Sequence, residues 1–282
     1  MQDLLDSPFT PVIVACLIAS LAVGGVARLL RSSLLASLAA PATFLVAYYE
    51  TYNKIPGFPP VGSTNKIFYI AVFAAVVGLA LDLLAPARVG RLVLLAAPLP
   101  IAVWIALPRF ADPSAPLLLE LAAMVAGGAL LLWRVAALAE AENGPLVAGG
   151  LLAVLPAVFA PIALFGGSST SVGLCLGLTA GLAVGAGFAL LWPMKLRLTA
   201  VLGAGSGLLA VIDTVTLITQ RADPIALLLF LTVLAAGQVG ASWLLPTARP
   251  GPRLRGIAQT LMAATPIVVI VALLFLRHDS PF

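Results

Sequence analysis

Four side chains carry chemistry where apolar sequence surrounds them: Asp82, Glu120, Asp213 and Gln238. A carboxyl group set in a long apolar run is costly to bury as an ion. It must be paired, protonated or hydrated, which makes it the natural place for a proton, a cation or another small-molecule substrate to bind. Glu120 stands one turn beyond Pro116, where the positive end of a helix would favour it. Asp213, followed by Thr214 and Thr216, has no such support. The two are expected at one depth, converging in a cavity that opens outward. Asp82 is expected to reach toward Arg88 or Arg91, and Gln238 to hydrogen-bond a neighbouring helix. Thiol and imidazole chemistry is not indicated: His278 is the one histidine, and Cys16 and Cys175 lie in separate apolar runs without CxxC spacing. No metal, cofactor or catalytic residue is therefore expected.

The elements that position these groups follow from composition. Of the 282 residues 62% are hydrophobic and 9% charged, and the mean hydropathy is +1.14. A soluble domain has too few interior positions to hide that much apolar surface. The expected fold class is all-α, a polytopic membrane helix bundle with the lipid bilayer as its surroundings. Hydrophobic runs give ten spans, at about 9–27, 33–49, 67–85, 92–108, 116–136, 146–166, 171–192, 198–218, 225–245 and 257–276, in one transmembrane domain covering 1–282. The first run lacks a basic leader, because Asp3 and Asp6 precede it, so it reads as a retained helix.

Ten basic residues fall at one set of connectors (Arg28, Arg31, Arg88, Arg91, Arg134, Lys195, Arg197, Arg249, Arg253, Arg255) and five at the other (Lys54, Lys66, Arg109, Arg221, Arg277). The positive-inside rule makes the first set cytoplasmic and puts both termini outside, in the periplasm of a bacterial inner membrane. Among the acids, Glu140 and Glu142 lie inside, and Glu50, Asp112, Asp223 and Asp279 outside. The basic residues are scattered, so the pI near 9.4 does not indicate nucleic acid.

The connector 50–66, ETYNKIPGFPPVGSTNK, is expected to form an ordered outer loop. Its prolines fix extended backbone and its aromatic residues sit at headgroup depth. Tyr49, Glu50, Lys54 and Phe58 are its candidates for gating a vestibule or holding a membrane partner protein. Residues 58–66, FPPVGSTNK, resemble a stretch of undecaprenyl-diphosphate phosphatases. The second serine- and arginine-rich motif of that family has no counterpart here, and no activity is carried over.

Gly173, Gly177, Gly181 and Gly185 recur every fourth residue and mark a close-packing helix face, with Gly203 and Gly207 as its expected mate. Pro41, Pro98, Pro100, Pro156, Pro161 and Pro266 lie inside runs and mark breaks, which in transporters often line substrate paths. Splitting the spans five and five brings GLALD at Asp82 opposite GLLAVID at Asp213, a weak inverted repeat. That arrangement looks like that of drug/metabolite-type transporters, although their other hallmarks are missing. These features point first to a small secondary transporter or exporter. An accessory or assembly subunit of a membrane complex comes second, and a membrane-embedded enzyme on lipid-linked substrates third.

Overall fold

The computed structural model describes residues 7–112, 114–141, 144–192, 195–244 and 251–277. Asp3, Asp6, Glu142, Arg249, His278 and Asp279, with the side chain of Gln238, lie outside the described residues. The described chain is all-α, without strands.

Its elements are α1 (Thr10–Leu29), α2 (Ser33–Tyr52), α3 (Ser63–Leu84), α4 (Ala87–Ala96), α5 (Pro98–Ala106), α6 (Ala115–Ala139), α7 (Gly144–Phe165), α8 (Ser169–Leu191), α9 (Leu198–Asp213), α10 (Pro224–Leu244), α11 (Pro252–Ala263) and α12 (Pro266–Arg277). A 3₁₀ turn, Leu107–Ala111, follows α5, and a π turn, Thr214–Ile218, follows α9. Starts are set by local chemistry. Ser32, Ser114 and Ser168 cap α2, α6 and α8, each side chain accepting from the backbone N–H three residues on, those of Leu35, Leu117 and Ser171. Asp223 does the same for α10, accepting from Ile225 and Ala226, with Pro224 at the first helical position.

Eight helical stretches are long and apolar enough to cross a membrane: Thr10–Leu29, Ser63–Leu84, Ala87–Ala111, Ala115–Ala139, Gly144–Phe165, Ser169–Leu191, Leu198–Ile218 and Arg253–Arg277. The two remaining runs form α2 and α10. Prolines divide into two kinds. The chain breaks at Ala97 ahead of Pro98 and again ahead of Pro266, whereas Pro41 sits inside continuous α2 and Pro156 and Pro161 inside continuous α7.

The interior is built around α7 and α9, whose apolar windows are 78% and 83% buried against 22–39% for the other six stretches. Small residues make this close approach feasible. A Cβ on Gly78 of α3 would fall 2.7 Å from Thr199 Cα, one on Gly203 would meet Pro41 at 2.6 Å, and one on Gly207 would meet Phe44 at 2.8 Å. Only hydrogen fits at these points.

The glycines of α8 face α1 and α2. A Cβ on Gly177 would lie 2.7 Å from Val12 and 3.0 Å from Cys16 Sγ, and one on Gly181 would collide with Thr43. Ser20 Oγ donates to the Gly181 carbonyl at 2.6 Å. Gly173 has Phe9 and Thr51 at ordinary contact, and Gly185 has open space. The expected mate is thus corrected: Gly203 and Gly207 pack against α2 and α3. Four-residue spacing identifies a face, but it carries no information about which neighbour fills it.

The loop at 50–66 is shorter than expected, since Glu50 to Tyr52 finish α2 and Ser63 to Lys66 open α3. Asn53 ends α2 in the left-handed conformation (φ +48°). Tyr69 Oη donates to the Pro56 carbonyl at 2.7 Å, and Phe58 meets Tyr69 edge-on at 5.3 Å.

Gly181→Leu is expected to lower thermal stability in detergent, by about 1–3 kcal/mol for overpacking, while Gly185→Ala leaves it equal or slightly raised. Melting curves of the two variants check this.

Candidate functional site

Two cavities lie along the seam between antiparallel α6 and α9. At one end, Glu120, Met124, Gly128 and Leu131 of α6, Leu209, Ile212, Thr216 and Gln220 of the α9 segment and Leu228 and Phe230 of α10 line a cavity of about 480 Å³. At the other end, Trp133 and Glu140 of α6, Arg197 and Val201 at the start of α9, Asp82 of α3 and Arg91 and Leu94 of α4 line a second one of about 460 Å³. Between them the seam is closely packed. Leu131, Leu132 and Leu209 are 4% exposed or less. A Cβ on Gly205 would meet Leu132 at 2.6 Å, and one on Gly128 would meet Pro98 and Leu209 at 3.0 and 3.2 Å.

Glu120 lies at the mouth of the first cavity. Its Oε2 accepts from Arg109 Nη1 at 2.7 Å. Arg109, in the 3₁₀ turn, also donates to the Leu217 carbonyl at 3.1 Å. With its amide oriented by the hydrogen-bond network, Gln220 accepts from Arg109 Nη2 at 2.6 Å. This arrangement ties the ends of α5, α6 and the π turn together.

Asp213 is 3% exposed and makes no hydrogen bond or ion pair among the described residues. It does not line the cavity, although Leu209, Ile212 and Thr216 on its own segment do. Nor does any described contact join it to Glu120, whose charge is met by Arg109. The π turn begins immediately after Asp213: Thr219 N–H reaches back five residues to the Thr214 carbonyl at 3.2 Å. Thr214 and Thr219 spend their hydroxyls on the carbonyls of Ala210 and Val215. The buried hydroxyl of Thr216 has no partner among the described residues. Single π turns of this kind concentrate at functional sites.

Asp82 takes a role other than the expected reach to Arg88 or Arg91. Its Oδ1 accepts from Leu198 N at 3.1 Å, and its Oδ2 accepts from Thr199 N at 2.9 Å and Thr199 Oγ1 at 2.6 Å. The carboxylate of α3 thereby caps α9 at its positive end. Arg91 pairs instead with Glu140 at 2.8 Å, both exposed. Gln238 falls on α10, with its side chain outside the described residues. Tyr49 and Glu50 fall in the last turn of α2, and Lys54 and Phe58 in the loop after it; Tyr49 and Phe58 are 45% and 70% exposed, and Glu50 and Lys54 are exposed.

Sequence reading missed Arg109, Gln220 and above all Lys66. Counted as a loop residue, Lys66 sits in the first turn of α3, 5% exposed, and donates to the Trp104 carbonyl at 2.7 Å. The residue four beyond Trp104 is Pro108, which has no N–H to give. Lys66 supplies the missing donor, and the Trp–x–x–x–Pro spacing was the available signal. Among the described residues no group of three or more histidine, cysteine or acidic side chains is placed to hold a metal.

Asp82→Ala is expected to cost about 0.5–2 kcal/mol, as for a lost helix cap, with Asp82→Asn less damaging because its side-chain oxygen still accepts. Lys66→Met leaves a buried carbonyl unpaired and is expected to cost about 1–3 kcal/mol. Denaturation of each variant in detergent checks both. No protein-family model, curated protein or solved structure matches this chain.

Proposed function

We propose that this chain is a small secondary transporter of the exporter type in a bacterial cytoplasmic membrane, with ten helical runs crossing the bilayer and both termini periplasmic. The observation supporting this reading is the pair of cavities at opposite ends of one seam, closed off from each other by leucine packed on glycine. On α9 the plug between Val201 and Leu209 spans about 12 Å of helix rise. A rocking of α6 with the broken α4–α5 segment against α9 would close one cavity as it opened the other, which is alternating access. Asp213, buried beside the seam without a counter-charge, is the group to take up and release the coupling proton or cation.

An accessory subunit is the alternative. It is favoured by the exposure of Ile55, Phe58 and Val61 on the outer loop, at 68%, 70% and 92%, and a stoichiometric partner on purification would select it.

The two native cysteines are 0% and 1% exposed, so introduced ones can be labelled over a low background. A membrane-impermeant maleimide is expected to reach Ala123→Cys only from the periplasmic side and Ala137→Cys only from the cytoplasmic side of oriented vesicles. Both reacting from one side, or neither reacting from any, would overturn the reading. Asp213→Asn is expected to leave this labelling pattern intact but to fix the relative accessibility of the two positions irrespective of pH.

A further inference from the structure

We infer that the cavity between α6, the π turn and α10 binds an amphipathic cation, an apolar body carrying a positive amine- or onium-type group; this assignment of substrate class rests on the transporter reading. The walls are apolar along Met124, Leu228 and Phe230, and from Glu120 to Leu131 they run about 16 Å along α6 by helix rise. The volume of about 480 Å³ falls in the range of small-molecule sites.

The polar end of this cavity is acceptor-rich. Glu120 lines the cavity, and among the described residues only its Oε2 is engaged, leaving Oε1 unspent. Arg109 is absent from the lining, its donors turned to Leu217, Gln220 and Glu120. A ligand in the cavity therefore touches the carboxylate, with the paired guanidinium behind it. Thr216 also lines this end, its hydroxyl buried behind the wall. Phe230, 3% exposed and packed at a steep angle to Phe159 at 5.9 Å, belongs to the apolar wall.

The test uses two probes of one shape and opposite charge, tetraphenylphosphonium and tetraphenylborate, titrated calorimetrically into the purified full-length protein in neutral detergent. The phosphonium is expected to bind and the borate to bind at least tenfold more weakly. Equal affinities, preference for the borate, or no phosphonium binding would overturn the inference. Glu120→Gln is expected to weaken phosphonium binding roughly tenfold, Glu120→Asp to retain most of it, and Arg109→Gln to strengthen it by freeing the carboxylate. Glu140→Gln, in the other cavity, is the control expected to change nothing, and an equal loss there would also overturn the site. The wild-type comparison decides the matter even if Glu120→Gln fails to fold. Binding with failed two-sided labelling would remove the transporter reading alone, whereas two-sided labelling without binding would remove this assignment alone.

Discussion

The bundle depends on one half-buried hydrogen-bond cluster, the Asp82 carboxylate against the first two amides of α9 and the Thr199 hydroxyl. Those amides have no partner within their own helix, and in an apolar setting an orphan donor is expensive. By meeting them from α3, Asp82 sets where α9 begins and which helix lies beside it. The contact is close because Gly78, one turn before Asp82, lets the Thr199 backbone approach. Once α9 is seated, Gly203 and Gly207 find Pro41 and Phe44, and Gly205 and Leu209 find Leu132 and Gly128. The two cavities are what remains where side chains of this seam change from small and apolar to charged.

One proline in the apolar runs is accommodated by a donor from elsewhere in the fold. Pro108 leaves the Trp104 carbonyl open, and Lys66 fills it from the start of α3. The ammonium group is buried as a structural donor to α5, so this basic residue near a connector serves packing. Asp223 shows the same economy: one oxygen caps α10 while the other meets Arg277 at the end of α12 at 3.3 Å.

The helical class was legible because apolar length is a local property of the chain. So were the α4–α5 break at Pro98 and the glycine spacing of α8, although the neighbours of those glycines were not, since shape complementarity between distant segments leaves no mark in either segment alone. Embedded acids were legible as unusual, but their partners were not. Glu120 finds Arg109 eleven residues before it, and Asp82 finds backbone amides more than a hundred residues away, groups that every residue offers and that composition cannot flag. Asp213 was singled out by its surroundings in sequence and is the one acid here whose isolation among apolar neighbours persists in the described fold.

Because α7 and α9 are enclosed by protein on nearly every side, lipids touch them hardly at all. A thicker or thinner bilayer is felt first by the outer helices, which adapt by tilting. α6 belongs to that outer group and forms one wall of both cavities, while the facing wall, α9, stays shielded. A surrounding bilayer would therefore load one wall of the seam far more than the other.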